Sequence, residues 1–87
     1  MKRTVMTLNL TIKPVFLIGK EEYEMQDALD ICAEGVMDFD EGYFEVHDVY
    51  MQEPRKNGSY DIPKRVKKAL MSYRFAEDYD TAAWEAA

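Results

Sequence analysis

Glu21-Glu22-Tyr23-Glu24-Met25-Gln26-Asp27-Ala28-Leu29-Asp30-Ile31-Cys32-Ala33-Glu34-Gly35-Val36-Met37-Asp38, residues 21–38, is the stretch on which the fold turns. Met25, Leu29, Cys32 and Val36 recur at i, i+4, i+7 and i+11, with Ala28 and Ala33 beside them. That is the stripe of a core-facing helix. Glu21, Glu22 and Glu24 fall in the first turn, where the helix dipole favours negative charge. Gly35 lies near the end, where a glycine loosens or closes a helix. The spacing therefore predicts a helix over 21–38. On it Glu24, Asp27, Asp30, Glu34 and Asp38 share one sector opposite the apolar stripe, one carboxylate about every 5 Å along the axis.

The charge around this stretch is sorted. Residues 21–53 hold twelve acids and no Lys or Arg. Residues 1–20 carry four bases and no acid, and residues 55–74 carry seven bases against Asp61 alone. The net charge is −6 and the pI about 4.7. Blocks of one sign make a field that an interleaved surface would cancel, which points to a charged partner. Like charges at helical spacing also repel, so an acidic face costs stability unless something covers it.

Working outward, residues 4–13 alternate. Met6, Leu8, Leu10 and Ile12 point one way, and Thr7, Asn9, Thr11 and Lys13 the other, as in a half-buried strand. Pro14 marks an edge, bulge or turn. Val15–Ile18 continue as strand, bent or paired back. Residues 38–42 read as a turn and Tyr43–Met51 as a second strong strand. There Phe44 and Val46 share a face while Val49 and Met51 fall on the opposite one, which calls for a bulge near His47-Asp48. Asn57-Gly58 signals a loop. Asp61-Ile62-Pro63 opens a basic helix over 62–76, with Asp61 as cap and Val66, Ala69, Leu70 and Tyr73 as its stripe. Residues 81–87 read as a final helical turn or tail anchored by Trp84.

The expected class is α+β: a small antiparallel sheet of two to four strands with one acidic and one basic amphipathic helix. The expected core is Met6, Leu8, Leu10, Ile12, Leu17, Met25, Leu29, Cys32, Val36, Phe44, Val46, Val66 and Leu70. At 87 residues, 1–87 reads as a single domain. No apolar run approaches the ~20 residues of a membrane helix. The start, Met1-Lys2-Arg3, lacks a signal-peptide apolar region. A lone cysteine excludes an internal disulfide. These features lead to the expectation of a cytoplasmic protein.

Two patches are candidate sites. The first is a partner-binding acidic surface of Glu24, Asp27, Asp30, Glu34 and Asp38, extended by Asp40 and Glu41. It would imitate nucleic acid or occupy a basic surface on a protein partner; the ordinary alternative is a solvated helix face. The second is basic: Lys64, Arg65, Lys67, Lys68 and Arg74, with Tyr73 available for stacking. Its alternative is pairing with the protein's own acids or with those of a second copy in a homodimer. Nucleic acid is disfavoured by the net charge. Catalysis is not expected: Cys32 falls on the apolar stripe, and His47-Asp48 sit on a strand with nothing to mark a pocket. Residues 38–42 have oxygen ligands but not calcium-loop spacing, so no metal and no cofactor is expected.

The layout of an alternating strand, then Glu21-Glu22…Asp27-Ala28-Leu29…Ala33-Glu34, then Gly42-Tyr43-Phe44-Glu45-Val46 resembles small phage-encoded accessory proteins, such as inhibitors of host RNA polymerase and some anti-CRISPR proteins. The resemblance covers roughly residues 5–51; the basic helix has no counterpart in it. It implies a stoichiometric, non-enzymatic inhibitor acting in the host cytoplasm and carries no catalytic residue across.

Overall fold

The computed structural model describes residues 3–87; Met1 and Lys2, read above as part of the chain's start, lie outside the described residues. Five strands are followed by two helices: β1 (Arg3–Ile12), β2 (Val15–Ile18), β3 (Glu21–Glu24), β4 (Leu29–Asp38), β5 (Tyr43–Met51), α1 (Lys64–Leu70) and α2 (Ala76–Ala86). The main sheet is antiparallel in the order β1-β4-β5, and β2 pairs with β3 in a separate two-stranded sheet. The class is α+β, as the sequence predicts, with the acidic helix in a different place.

Residues 21–38 are strand, not helix. β4 runs between β1 and β5, in unbroken register with β1 from Arg3↔Asp38 to Ile12↔Leu29. Its odd positions, Ile31, Ala33 and Met37, are fully buried. The misreading has a simple cause: positions four apart share a face in both a helix and a strand, so Leu29, Ala33 and Met37 satisfy either period. Two flanking ladders decide the matter, and they outweigh a weak helical propensity. Cys32 and Val36, expected in the core, lie half-buried on the opposite, open face of the sheet. The acidic helix is instead α2, with Glu77 and Asp78 in its first turn.

The bulge expected in β5 is present. Glu34 pairs with Asp48 and Gly35 with Val46, leaving His47 as the extra residue. One inserted residue reverses the phase of the strand, so Phe44, Val46, Val49 and Met51 all reach the core side. Gly35 is therefore no helix cap. A Cβ there would run into the Glu45 carbonyl oxygen and lie 2.8 Å from Cζ of Phe44.

Pro14 bends one long hairpin into two. The Met25 N–H donates to the Pro14 carbonyl at 2.9 Å, and pairing resumes from Val15↔Glu24 to Ile18↔Glu21. Gly19, at φ 65°, takes the first position of the two-residue tip loop, a conformation open to glycine at little cost. This β2–β3 arm leaves the sheet and packs on α1. Leu17, expected in the core, is 58% exposed on the arm.

Both helices cover the same face of the sheet. α2 lies under β1, β4 and β5, and buries Tyr79 and Ala83. α1 is shorter than predicted. It starts after Pro63 rather than on an Asp61 cap, and no side-chain hydrogen bond caps it. It stops at Leu70, where the Ser72 hydroxyl donates to the Ala69 carbonyl at 2.6 Å. A 3-10 turn, Tyr73–Phe75, then buries Phe75 and leaves Tyr73 93% exposed. Trp84 meets Phe39 edge-on at 5.2 Å but is half exposed; Tyr79 is the buried anchor of α2. No helix of the described residues is long and apolar enough to cross a membrane.

Candidate functional site

The sequence-predicted acidic surface is not assembled. Its residues are strung along β4, a strand roughly 33 Å long, and beyond both of its ends. Glu24 lies on β3 with its carboxylate 3.4 Å from Lys13 Nζ. Asp27 is exposed in the 25–28 junction. Asp30 and Glu34 share the open face, where they accept hydrogen bonds from Thr11 Oγ1 at 2.5 Å and the Tyr50 hydroxyl at 2.9 Å. Asp38 is 5% exposed, and its Oδ1 accepts the N–H groups of Asp40 and Glu41 at 3.0 Å each, which shapes the β4–β5 turn. Asp40 and Glu41 sit at that far end. The Glu34 carboxylate makes the Tyr50 hydroxyl hard to ionise, because the hydrogen bond favours the protonated phenol; its pKa is pushed up to about 12.

The basic patch divides in three. Lys67 turns to Asp48, with Nζ 2.6 Å from Oδ1. Arg74 pairs with Glu22 on the arm. Lys64, Arg65 and Lys68 make no ion pair among the described residues. The expectation that the bases are neutralised by the protein's own acids thus holds for two of the five.

Arg65, Lys68, Ala69 and Ser72 follow one another at intervals that keep them on one side of α1 and its end. That side faces β2 across a groove of about 320 Å³. Val15, Phe16, Leu17 and Ala69 give it an apolar lining, and Arg65, Lys68, Arg74 and Tyr73 add charge and an aromatic ring. The arm is stiffened by Phe16 and Tyr23, cross-strand partners whose rings stack at 6.5 Å. The Arg74–Glu22 pair fastens the arm to the 3-10 turn. The groove combines a place for apolar side chains with cations that are half in water.

Sequence reasoning found the bases and Tyr73 but not the arm that completes the groove. The available signals were the two breakers, Pro14 and Ser72: the first sends β2 out of the sheet, and the second ends α1 and turns Tyr73 outward. Cys32 and His47 form no joint site. The Cys32 thiol donates to Asn9 Oδ1 at 3.2 Å, and His47 Nε2 lies 3.5 Å from the Glu45 carboxylate. Among the described residues no three His, Cys, Asp or Glu side chains are grouped to hold a metal. No family model, curated protein or solved structure matches the chain, so no residue role is transferred from outside.

Proposed function

We propose that the chain is a non-catalytic protein-binding module that holds an acidic, apolar segment of a protein partner in the groove between the β2–β3 arm and α1. The observation that carries this reading is the meeting of an apolar lining with two cations, Arg65 and Lys68, that make no ion pair among the described residues. Carboxylates flanking a leucine or phenylalanine suit both. Charge supplies encounter rate and orientation, and buried apolar contact supplies residence. The aliphatic part of the lining suits a peptide better than a nucleobase, and the net charge of −6 repels a phosphate backbone. The polarity is the reverse of the one expected from residues 21–53, because the carboxylates named for that surface are spread apart and mostly engaged. Stoichiometric inhibition belongs to the same reading, since a segment held here is withdrawn from its other contacts.

The test is fluorescence anisotropy with a labelled peptide that alternates Glu with Leu and Phe, beside its Gln counterpart. The acidic peptide binds, weakens with salt, and is held at least about tenfold more tightly than the Gln peptide, a difference of about 1.4 kcal/mol. Arg65→Glu with Lys68→Glu abolishes binding while circular dichroism is unchanged. Equal binding of the two peptides, or an unaffected double variant, refutes the reading. Single-stranded oligonucleotide binding lost in the same variant, with no peptide binding, gives the groove to nucleic acid instead.

A further inference from the structure

The two edges of the main sheet are treated differently. On β5 three backbone amides are already taken, two by groups outside the sheet and one by a side chain of β5 itself. Phe44 donates to Asp80 Oδ1 at 2.7 Å, Val49 to Asp48 Oδ1 at 2.9 Å, and Met51 to the Tyr60 carbonyl at 2.8 Å. β5 also carries the bulge at His47 and the charges of Glu45 and Asp48. These are the ordinary means by which an edge is kept from pairing.

The same three bonds fix the phase of the ladder. In antiparallel pairing a residue points both its N–H and its C=O to one side, and the side alternates. Phe44, Val49 and Met51 point away from β4, so their partners Met37, Ala33 and Ile31 point toward β1. On β1 the partners of these are Thr4, Leu8 and Leu10, which therefore point back at β4. Val5, Thr7, Asn9 and Thr11 point the other way. Each offers one N–H and one C=O to the open edge, and no group outside the sheet bonds them among the described residues.

Nothing in β1 discourages a second strand. Thr4–Ile12 has no charge, no proline, no glycine and no bulge. Arg3 and Lys13 bracket it, and each is already in an ion pair, with Glu45 and Glu24. Val5 is 82% exposed beside this edge. An uncharged strand is complementary to itself, and a two-fold axis joins such strands antiparallel. A pairing that uses all four outward residues sets Val5 opposite the second copy's Thr11 and Thr7 opposite the second copy's Asn9. The side chains of these residues then lie together on the open face, as β-branched and hydrogen-bonding cross-strand pairs.

We infer that β1 is a dimerisation edge: two copies of this chain join antiparallel along Thr4–Ile12 into one continuous six-stranded sheet. This uses neither the groove nor the charged helices and stands independently of the proposed function.

Sedimentation equilibrium across a concentration series, with amide hydrogen exchange read by NMR, tests it. The wild type dimerises, the dimer persists at high salt, and the amides of Val5, Thr7, Asn9 and Thr11 gain protection as the dimer forms. Thr7→Lys with Asn9→Lys puts four like charges at the junction on exposed side chains. That variant is a monomer with unchanged circular dichroism, and its four amides exchange quickly. A wild-type monomer at every concentration overturns the inference. So does a dimer that dissolves in salt yet survives in the lysine variant, which would rest on the charged helices. A monomer whose β1 amides become protected only on adding an uncharged extended peptide overturns it too, and gives the edge to a foreign strand.

Discussion

The Phe44 amide on β5 donates to the Asp80 carboxylate on α2 at 2.7 Å, so one helical side chain both closes a sheet edge and fixes the helix beneath it. Phe44 is itself buried, and its ring lies 6.4 Å from that of Tyr79, one residue before Asp80. Asp80→Ala leaves the amide without an acceptor in a half-dry setting, at a cost of about 1–3 kcal/mol. Asp80→Asn keeps an oxygen in reach and recovers most of it. Urea midpoints of the two variants measure the difference; equal losses would assign the effect to charge rather than to the bond.

Gly35 is required by the Glu45 carbonyl, which comes close enough to leave no room for a Cβ. Gly35→Ala is expected to destabilise by about 1–3 kcal/mol, the range for overpacking a filled core. Shrinking Phe44 to Leu in the same background does not restore stability, because the nearer obstacle is backbone. A neutral Gly35→Ala by chemical denaturation would mean that the bulged strand yields more easily than its register implies.

β1 was legible because it alternates strictly between breakers, and in β5 even the change of phase at His47 showed in the order of apolar residues. β4 was not. Leu29, Ala33 and Met37 fit both periods, acids recur at near-helical spacing, and the choice is made by β1 and β5 from either side. On β4 the core residues missed follow from that one substitution of period, Ile31 and Met37 replacing Cys32 and Val36, whereas Val49, Ile62, Phe75, Tyr79 and Ala83 were missed on other elements. For the groove, the bases of α1 were plain. Most of its apolar lining comes from β2, a short apolar run that reads as core until Pro14 is seen to carry it off the sheet.

Tyr79 and Tyr50 make the protein sensitive to alkali. Burial raises the Tyr79 phenol well above its usual value of 10, and its hydroxyl donates to the Leu70 carbonyl at 2.7 Å, tying α2 to the end of α1. Tyr50 is raised to about 12, chiefly by its bond to Glu34. Both folded values exceed the unfolded one, so the folded state holds these protons more tightly. Their contribution is complete below pH 10 and is lost as pH rises from there through the folded values. Urea midpoints should hold to about pH 10 and fall above it. Tyr79→Phe costs about 1 kcal/mol at neutral pH through the orphaned carbonyl, and flattens that alkaline decline. A wild-type midpoint independent of pH over this range would contradict both assignments.

Arg74 and Glu22 join the arm to the 3-10 turn from half-exposed positions, where an ion pair contributes less than about 1 kcal/mol to global stability. Its effect is local, because the arm packs on α1 and lies outside the main sheet. Arg74→Ala should leave the urea midpoint nearly unchanged and speed amide exchange across β2 and β3, whose opening is a sub-global event. Exchanging the charges, Arg74→Glu with Glu22→Arg, restores protection. If Arg74→Ala leaves exchange in the arm as it was, Phe16 and Val15 hold the arm on α1 by apolar packing alone. The groove is then a rigid cleft, and losing the ion pair would change its charge but not its shape.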